Sequence, residues 1–203
     1  MMRDGQGGNV NFELSSIVES NLIQCPLLQI QTYNTQTQKL RLINKTCFPV
    51  SYPDSFYKDV VKSKNENLNK FAYHNGFVVG AICARVEPLP KTEGTGSDDQ
   101  ENSKSSRIYI MTLGVFAAYR NRGIGVKLVQ SILDHYNGSI DPSKDDSVEM
   151  KNVKEIVLHV QISNLDAIKF YIEKFGFVQG EKVENYYKRI DPPHCYVLRK
   201  TLA

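Results

Sequence analysis

The chain has 203 residues, of which 41% are hydrophobic and 10% are aromatic. That length supports one sizeable hydrophobic core, and two complete domains would be crowded. Its 25 basic and 22 acidic residues give a formal net charge of +3, which is spread along the chain without a long basic block. This charge balance is too weak to indicate nucleic-acid binding, so we expect no direct contact with DNA.

Cysteine usage and hydropathy indicate the cellular compartment of the protein. Cys25, Cys47, Cys83 and Cys195 are scattered, without a C-x-x-C pair or a histidine at zinc-finger spacing. This pattern predicts neither a disulfide framework nor a zinc site, and we expect no metal. The sequence shows no signal-peptide core and no run approaching the roughly 18 apolar residues of a membrane span. We therefore expect a soluble, cytoplasmic protein without membrane contact.

The first elements follow an N-terminal extension. Residues 1–26 are Gly-rich at the start and polar, so we expect an extension without fixed structure. A short apolar run at 27–30 is read as a strand. A helix is predicted from Thr35, and it must end before the two-proline loop 48–53, because a proline restricts the preceding residue to extended geometry. Asp54 can cap a second helix.

A β-hairpin is the clearest local signal in the chain. Two apolar runs between Phe71 and Val86 are joined through Asn75-Gly76, which predicts two antiparallel strands. Residues 91–106 contain almost exclusively polar residues and glycines, so we expect a mobile loop there. The next apolar run, 108–113, predicts a third strand.

The second half alternates strands and helices. A helix is predicted after a glycine-containing turn, with these apolar residues on one face: Ile124, Leu128, Val129, Ile132 and Tyr136. A second polar loop is expected at 138–152. The run 156–160 is nearly all apolar, which is typical of a strand covered on both faces. Another helix should end at Gly176 as its C-cap, and residues 177–202 predict two strands broken by 191–193.

The order of elements predicts the fold class. It is strand, helix, helix, hairpin, then strand, helix, strand, helix, strand, strand. Such an order indicates an α/β protein with a mixed, mostly antiparallel sheet, helices on both faces and one parallel β-α-β crossover. We expect residues 27–203 to form this single domain.

The most informative stretch is Arg120-x-x-Gly123-x-Gly125, which lies between the third strand and the helix after it. It is not a P-loop, and Leu128 stands where a dinucleotide fingerprint needs its third glycine. Glycines allow close backbone approach, while the N–H groups and dipole of the first helical turn attract negative charge. Such a turn can hold a pyrophosphate, assisted by Arg120 and Arg122. The alternative is a plain strand-to-helix turn with solvated arginines.

This turn resembles the acyl-CoA-binding signature of the GNAT acetyltransferases. Further segments resemble, in the right order, the N-alpha-acetyltransferase 50 (San) type within that superfamily: 48–52 with 56–60, 109–114, 158–164, 170–177 and 185–190. The resemblance covers the chain from about residue 27 to its end. The N-terminal extension and the two polar loops depart from the family pattern.

The resemblance implies an activity, a cofactor and partners. It implies an acetyl-CoA-dependent transferase of the GNAT fold that acetylates the N-terminal amine of proteins, an activity classed as NatE, with a preference for Met followed by a hydrophobic residue. It implies no metal. Partners would be the subunits of the NatA complex and the ribosome. Two alternatives stay open: a GNAT enzyme that acetylates lysine or a small amine, and a non-catalytic subunit of NatA.

The resemblance assigns catalysis to Tyr109 and His159. Strand parity agrees, because two neighbouring parallel strands can present both side chains into one cleft. An α-amine is roughly a tenth neutral at pH 7, so a weak base suffices: His159 could take its proton through one water that Tyr109 holds. No covalent intermediate is needed, so Cys83 and Cys195 are interpreted as core residues. The alternative is that Tyr109 and His159 are core residues too.

The remaining implied site residues form two groups. The cofactor group is Leu113, Val115, Arg120, Asn121, Arg122, Gly123, Ile124, Gly125, Val126, Asn164 and Tyr171, where N–H groups around Leu113 would stabilise an oxyanion and Tyr171 would lie near the departing sulfur. The acceptor group is Phe48, Pro49, Val50, Tyr52, Met111, Tyr186, Tyr187 and Ile190. An apolar, aromatic pocket of this kind suits an initiator methionine and disfavours a charged side chain. The alternative is that these aromatic residues only close the ends of the sheet.

Overall fold

A computed structural model describes residues 37–62, 66–90, 105–139, 150 and 152–202. Its helices are α1 (Thr37–Cys47), α2 (Asp54–Lys62), α3 (Ile124–Ser139) and α4 (Leu165–Phe175), with short 3-10 helices at Glu66–Leu68 and Ala117–Tyr119. Its strands are β1 (Asn69–His74), β2 (Phe77–Pro88), β3 (Ser106–Val115), β4 (Val153–Gln161), β5 (Val178–Val183) and β6 (Cys195–Thr201). The predicted extension 1–26 and the predicted strand 27–30 lie outside the described residues.

The strands form one mixed sheet in the order β1-β2-β3-β4-β6-β5. β3 and β4 are parallel, and the other neighbouring pairs are antiparallel. α3 lies between β3 and β4 in the chain and provides the crossover that a parallel pair requires. The predicted sheet type and the single parallel crossover are confirmed.

Helices cover both faces of the sheet. α3 and α4 pack on one face, where their apolar residues join a large cluster that includes Ile82, Ile108, Ile156 and Leu198. α1 and α2 pack on the other face in a smaller cluster that includes Leu40, Val60, Phe71 and Ala81. In the centre of β4 the successive residues Ile156, Val157 and Leu158 are all buried, as expected for a strand covered on both faces.

Turn and cap residues explain where several elements begin and end. Asn75 and Gly76 have φ angles of +50° and +80°, which is the left-handed geometry that a two-residue hairpin turn needs. The Asn164 side chain accepts a 3.2 Å hydrogen bond from the Ala167 N–H and caps the start of α4. Gly176, at φ +67°, ends that helix. These local predictions are confirmed.

Other boundaries were predicted wrongly. α3 continues through Gly138 and Ser139, because a glycine near a helix end costs only about 1 kcal/mol and does not stop the helix. Met150, within the predicted polar loop, is 1% exposed and belongs to the large cluster. β3 begins at Ser106, inside the first predicted loop, and the break between the last strands spans all of 184–194. Ser105 and Asn152 are also described, and the remaining residues of the two predicted loops lie outside the described part of the chain.

No helix in the described part of the chain is long and apolar enough to cross a membrane.

Gly114 on β3 lies under α1, and this contact generates a stability prediction. A Cβ at Gly114 would stand 3.0 Å from Ile43 Cγ2 and 3.2 Å from Cys47 Cβ. We expect Gly114→Ala to lower the free energy of unfolding by about 1–3 kcal/mol, the usual cost of overpacking. Gly138→Ala is the matched control, because no atom of the described residues lies within 4 Å of its Cβ position and alanine favours helix. Urea denaturation measures both, and equal stability of Gly114→Ala and the wild type would contradict this packing.

Candidate active site

A cleft opens in the sheet where β3 and β4 stop pairing. Their last paired residues are Tyr109 and Val157, although β3 continues to Val115 and β4 to Gln161. The cavity at this point is lined by the two strands, by α4, by the loop between α1 and α2 and by the segment 184–194. Its lining residues are Phe48, Pro49, Val50, Tyr52, Ile110, Met111, Thr112, Leu113, Leu158, His159, Val160, Gln161, Asn164, Ala167, Tyr171, Tyr187 and Ile190.

His159 lines the cleft, and Tyr109, which is not among the lining residues, contacts it from the adjacent strand. The Tyr109 hydroxyl lies 3.2 Å from His159 Nδ1, and the direction of that hydrogen bond depends on the imidazole tautomer. The same hydroxyl lies 3.1 Å from the Tyr186 hydroxyl. The Tyr186 ring also stacks on the His159 ring at 4.5 Å, with 9° between the ring planes. The predicted pair is therefore part of a three-residue cluster.

The electrostatics of the cluster favour neutral side chains. Burial, followed by the neighbouring Tyr186, raises the pKa of Tyr109 well above its usual value near 10. Burial also lowers the pKa of His159, and the cationic Arg107 and Arg199 lower it further. At pH 7 the imidazole is therefore neutral and can accept a proton, while the phenol stays protonated and can donate a hydrogen bond.

Tyr186 is placed differently from the other predicted acceptor residues. Phe48, Pro49, Val50, Tyr52, Met111, Tyr187 and Ile190 line the cleft, whereas Tyr186 covers His159 from outside it. The segment that carries Tyr186 is held by two backbone hydrogen bonds, from the Tyr187 N–H to the Pro193 carbonyl at 2.8 Å and from the Ile162 N–H to the His194 carbonyl at 3.2 Å. The Tyr186 ring is therefore fixed over the imidazole.

Gln161 is a cleft residue that the sequence analysis missed. Its side-chain amide donates a 2.9 Å hydrogen bond to the Pro192 carbonyl and so ties the end of β4 to the segment 184–194. Its position on the same strand face as His159, two residues further on, was the only available signal.

The glycine-containing turn adopts the geometry expected of an anion site. Gly123 has a φ of +73°, and a Cβ built there would meet no atom of the described part of the chain within 4 Å. The Lys127 N–H donates to the Gly123 carbonyl at 3.0 Å, which starts α3. The N–H groups of Ile124, Gly125 and Val126 therefore have no acceptor within the helix and can bind an anion.

The two arginines of the turn have protein contacts of their own. Arg120 Nε donates a 3.0 Å hydrogen bond to the Val115 carbonyl, and the guanidinium lies against the Cys47 thiol. The Arg122 guanidinium lies 5.6 Å from the centre of the Tyr119 ring. In this structure Arg120 braces the turn, which also contains Asn121 at φ +59°, against the end of β3. A contact of either arginine with phosphate stays a prediction.

The described cysteines are not arranged for chemistry. Cys47, Cys83 and Cys195 are free thiols, and the last two are buried. Burial raises the pKa of Cys83 to about 12 and that of Cys195 to about 11, so both are protonated at pH 7. Among the described residues, no group of three or more His, Cys, Asp or Glu side chains could hold a metal ion.

Comparison with known proteins decides the family. The family model described as Acetyltransferase (GNAT) family matches residues 37–177. The chain belongs to the GNAT acetyltransferases. This GNAT protein is 43% identical over 167 residues to N-alpha-acetyltransferase 50 of Danio rerio, which covers 81% of the chain and 82% of that relative. It is 42% identical over 165 residues to the probable N-acetyltransferase san of Drosophila melanogaster, covering 81% and 75%.

Solved structures agree with the family. Arabidopsis thaliana Naa50 in complex with the bisubstrate analogue CoA-Ac-MVNAL has a TM-score of 0.64 and 37% identity, covering 83% of this GNAT chain and 94% of that one. Arabidopsis thaliana NAA60 in complex with acetyl-CoA has a TM-score of 0.63 at 19% identity, covering 83% and 95%, which supports the fold alone. The predicted GNAT fold and the predicted N-alpha-acetyltransferase 50 type are confirmed.

Proposed function

We propose that this GNAT enzyme transfers the acetyl group of acetyl-CoA to the N-terminal α-amine of a protein chain. The observation that carries the proposal is the hydrogen-bonded pair Tyr109 and His159 at the cleft between β3 and β4. The Arabidopsis relative supports it, because its bisubstrate analogue joins CoA, an acetyl group and a peptide.

The residues present fit acetyl-CoA at the turn and the cleft. The open space at Gly123 and the N–H groups at the start of α3 suit its pyrophosphate. Acetyl-CoA supplies the activated thioester carbonyl. Of the other residues assigned to the cofactor, Leu113, Asn164 and Tyr171 line the cleft, which supports the cleft as the place of the acyl end.

The neutral state of the cluster suits an α-amine. At pH 7 roughly a tenth of such an amine is neutral, against about one in 2,500 for a lysine, because the pKa values are about 8 and 10.4. A neutral His159 can take the ammonium proton, directly or through one water, while the Tyr109 hydroxyl orients that water or the amine. The attacking amine is then the nucleophile, and no residue of the enzyme is acylated.

The acceptor pocket is apolar and aromatic. Phe48, Pro49 and Val50 line the cleft from the loop between α1 and α2, and Tyr187 and Ile190 line it from the segment 184–194. This composition supports an initiator methionine with a hydrophobic second residue as the preferred acceptor, since an unpaired charge among such side chains loses its hydration. Three points remain predictions from the resemblance and the cysteine usage. They are activity as NatE, the NatA subunits and the ribosome as partners, and a cytoplasmic location.

The turn generates a prediction on cofactor binding. Gly123→Asp should abolish acetyl-CoA binding, because its carboxylate would repel the pyrophosphate. Gly123→Asn is the matched control: Asn and Asp both tolerate a positive φ, and Asn carries no charge. We expect Gly123→Asn to keep most of the affinity and both variants to fold. Isothermal titration measures this, and unchanged affinity in Gly123→Asp would remove the turn from the cofactor site.

The pocket generates a prediction on acceptor choice. The measurement is kcat/KM on matched peptides that begin Met-Leu, Met-Glu and Ser-Glu, with an internal lysine in a blocked peptide as a fourth acceptor. We expect Met-Leu to exceed Met-Glu at least about tenfold, since burying a Leu side chain contributes roughly 1.5–3 kcal/mol. Val50→Asp should reduce the rate on Met-Leu similarly, and Val50→Ala, its uncharged control, should reduce it less.

The pattern of rates separates the alternatives. Preference for Ser-Glu would reject the assignment of a Met-hydrophobic acceptor. Preference for the internal lysine would favour a lysine acetyltransferase. Binding of acetyl-CoA without transfer to any of the four acceptors would favour a non-catalytic subunit.

A further inference from the structure

Six charged side chains form a continuous row of ion pairs across five strands of the sheet. We call this set the ion-pair row: Arg85 and Glu87 on β2, Arg107 on β3, Glu155 on β4, Arg199 on β6 and Glu181 on β5. The successive nitrogen-to-oxygen distances along the row are 3.0, 2.7, 3.8, 3.3 and 2.8 Å. Cations and anions alternate, so each inner member contacts two partners.

The row lies at the base of the cleft. Arg107 is paired in register with Glu87 on one side and with Glu155 on the other. Two residues further along β3 is Tyr109, where pairing with β4 ends. On the far side of β4, Arg199 is opposite Val157, two residues before His159. Residues two apart on a strand share a face, so the row and the catalytic pair lie on the same face in adjacent positions.

The inner part of the row is shielded from water. The side chains of Arg107 and Glu155 are each 16% exposed and that of Glu87 is 19% exposed. Arg107 donates from both Nε and Nη2 to one oxygen of Glu87, at 2.8 and 2.7 Å. Solvated pairs contribute little to stability, whereas removing one partner of a shielded pair leaves a charge with neither water nor counter-ion. The inner pairs therefore hold β2, β3 and β4 in fixed relative positions.

We propose that Arg107, Glu155 and Arg199 are positioning residues of the transferase, which clamp β3, β4 and β6 below the cleft and so fix the approach of Tyr109 to His159. This inference rests on the proposed function. None of the three lines the cavity described above, so they act through the catalytic pair rather than on a substrate. The distance that they control is the 3.2 Å between the Tyr109 hydroxyl and His159 Nδ1.

The row also sets the charge around the imidazole. The ionisable groups around His159 are Tyr109 and Tyr186, which contact it, and the charged side chains of Arg107, Arg199, Glu87 and Glu181. After burial, Arg107 and Arg199 lower the pKa of His159, while Glu87 and Glu181 raise it by less. Removing an arginine should therefore raise this pKa, so that at a given pH more of the imidazole is protonated and fewer molecules hold the free base.

The first arm of the test separates positioning from binding. Glu155→Gln keeps the size of the side chain but removes the charge that both arginines contact. We expect kcat on a Met-Leu peptide to fall at least about tenfold, with KM for acetyl-CoA nearly unchanged, because the turn at Gly123 is remote from the row. Asp134→Asn is the matched control, since this exposed carboxylate lies on α3, outside the row, and accepts a 2.8 Å hydrogen bond from the Gln130 side chain. It should keep wild-type kcat.

The second arm of the test measures the pKa of His159 directly. We expect Arg199→Met to raise the pKa of His159, which is measured by NMR titration of the imidazole signals. The same substitution should move the acid limb of the kcat/KM profile to higher pH. Arg199→Lys retains the charge and should restore both values toward the wild type. A merely structural role of the row would change the unfolding midpoint and leave the His159 titration in place.

The outcomes are distinct. Wild-type kcat in Glu155→Gln together with an unshifted His159 titration in Arg199→Met would overturn the inference. If the wild-type enzyme acetylated no amine, the proposed function would fail, while the NMR titration would still test the coupling of the row to His159. If Arg199→Met does not fold, Glu155→Gln and Arg199→Lys provide the same test. A lysine cannot reproduce the two contacts of Arg199 but keeps its charge. Arg199→Lys should therefore lower kcat without raising the pKa of His159.

Discussion

The parting of two parallel strands is the constraint on which the rest of the site depends. β3 and β4 pair as far as Tyr109 and Val157 and then continue separately. Backbone N–H and C=O groups that lose a strand partner need another, and here they line a cleft that a ligand can enter. The same separation lets His159 line the cleft, with Tyr109 hydrogen-bonded to it, while both strands remain anchored in the paired half of the sheet.

Each neighbouring element contributes to this cleft. α3 follows β3 after the glycine-containing turn, and the N–H groups of its first turn have no acceptor within the helix, which suits the proposed anion site. α4 contributes Asn164 and Tyr171 to the wall on the opposite side. The loop between α1 and α2 and the segment 184–194 supply the apolar rim. This arrangement supports the proposal that a long ligand has its phosphate end at the turn and its reactive acyl end in the cleft.

Burial makes the chemistry selective. A half-buried His159 with a lowered pKa is a weak base, and the Tyr109 phenol beside it stays neutral. Such a pair can deprotonate an amine that is already close to neutral, but it offers little to a lysine with a pKa near 10.4. The stacked Tyr186 favours the neutral imidazole by covering it, and the charges of the ion-pair row shift the pKa of His159.

Local sequence signals predicted local structure well, and long-range packing set the limits. Asn75-Gly76 fixed the hairpin and Gly176 the end of α4, because few residues adopt a positive φ. Met150 was missed because a single apolar residue in a polar stretch has no periodicity. The position of Tyr186 could not be predicted, because it depends on the irregular segment 184–194. The ion-pair row could not be predicted either, because it depends on the register between strands. Tyr109 and His159 were found through the family resemblance together with strand parity.

The most direct test of the account is the turnover of His159→Ala and Tyr109→Phe on a Met-Leu peptide, with acetyl-CoA affinity measured in parallel. The account predicts that each substitution lowers kcat by about 10² or more, the scale of a lost acid-base group, and that acetyl-CoA affinity is nearly kept. The double variant should lose little more than the worse single one, because the two residues act as a unit. Near-wild-type kcat in both single variants would contradict the account.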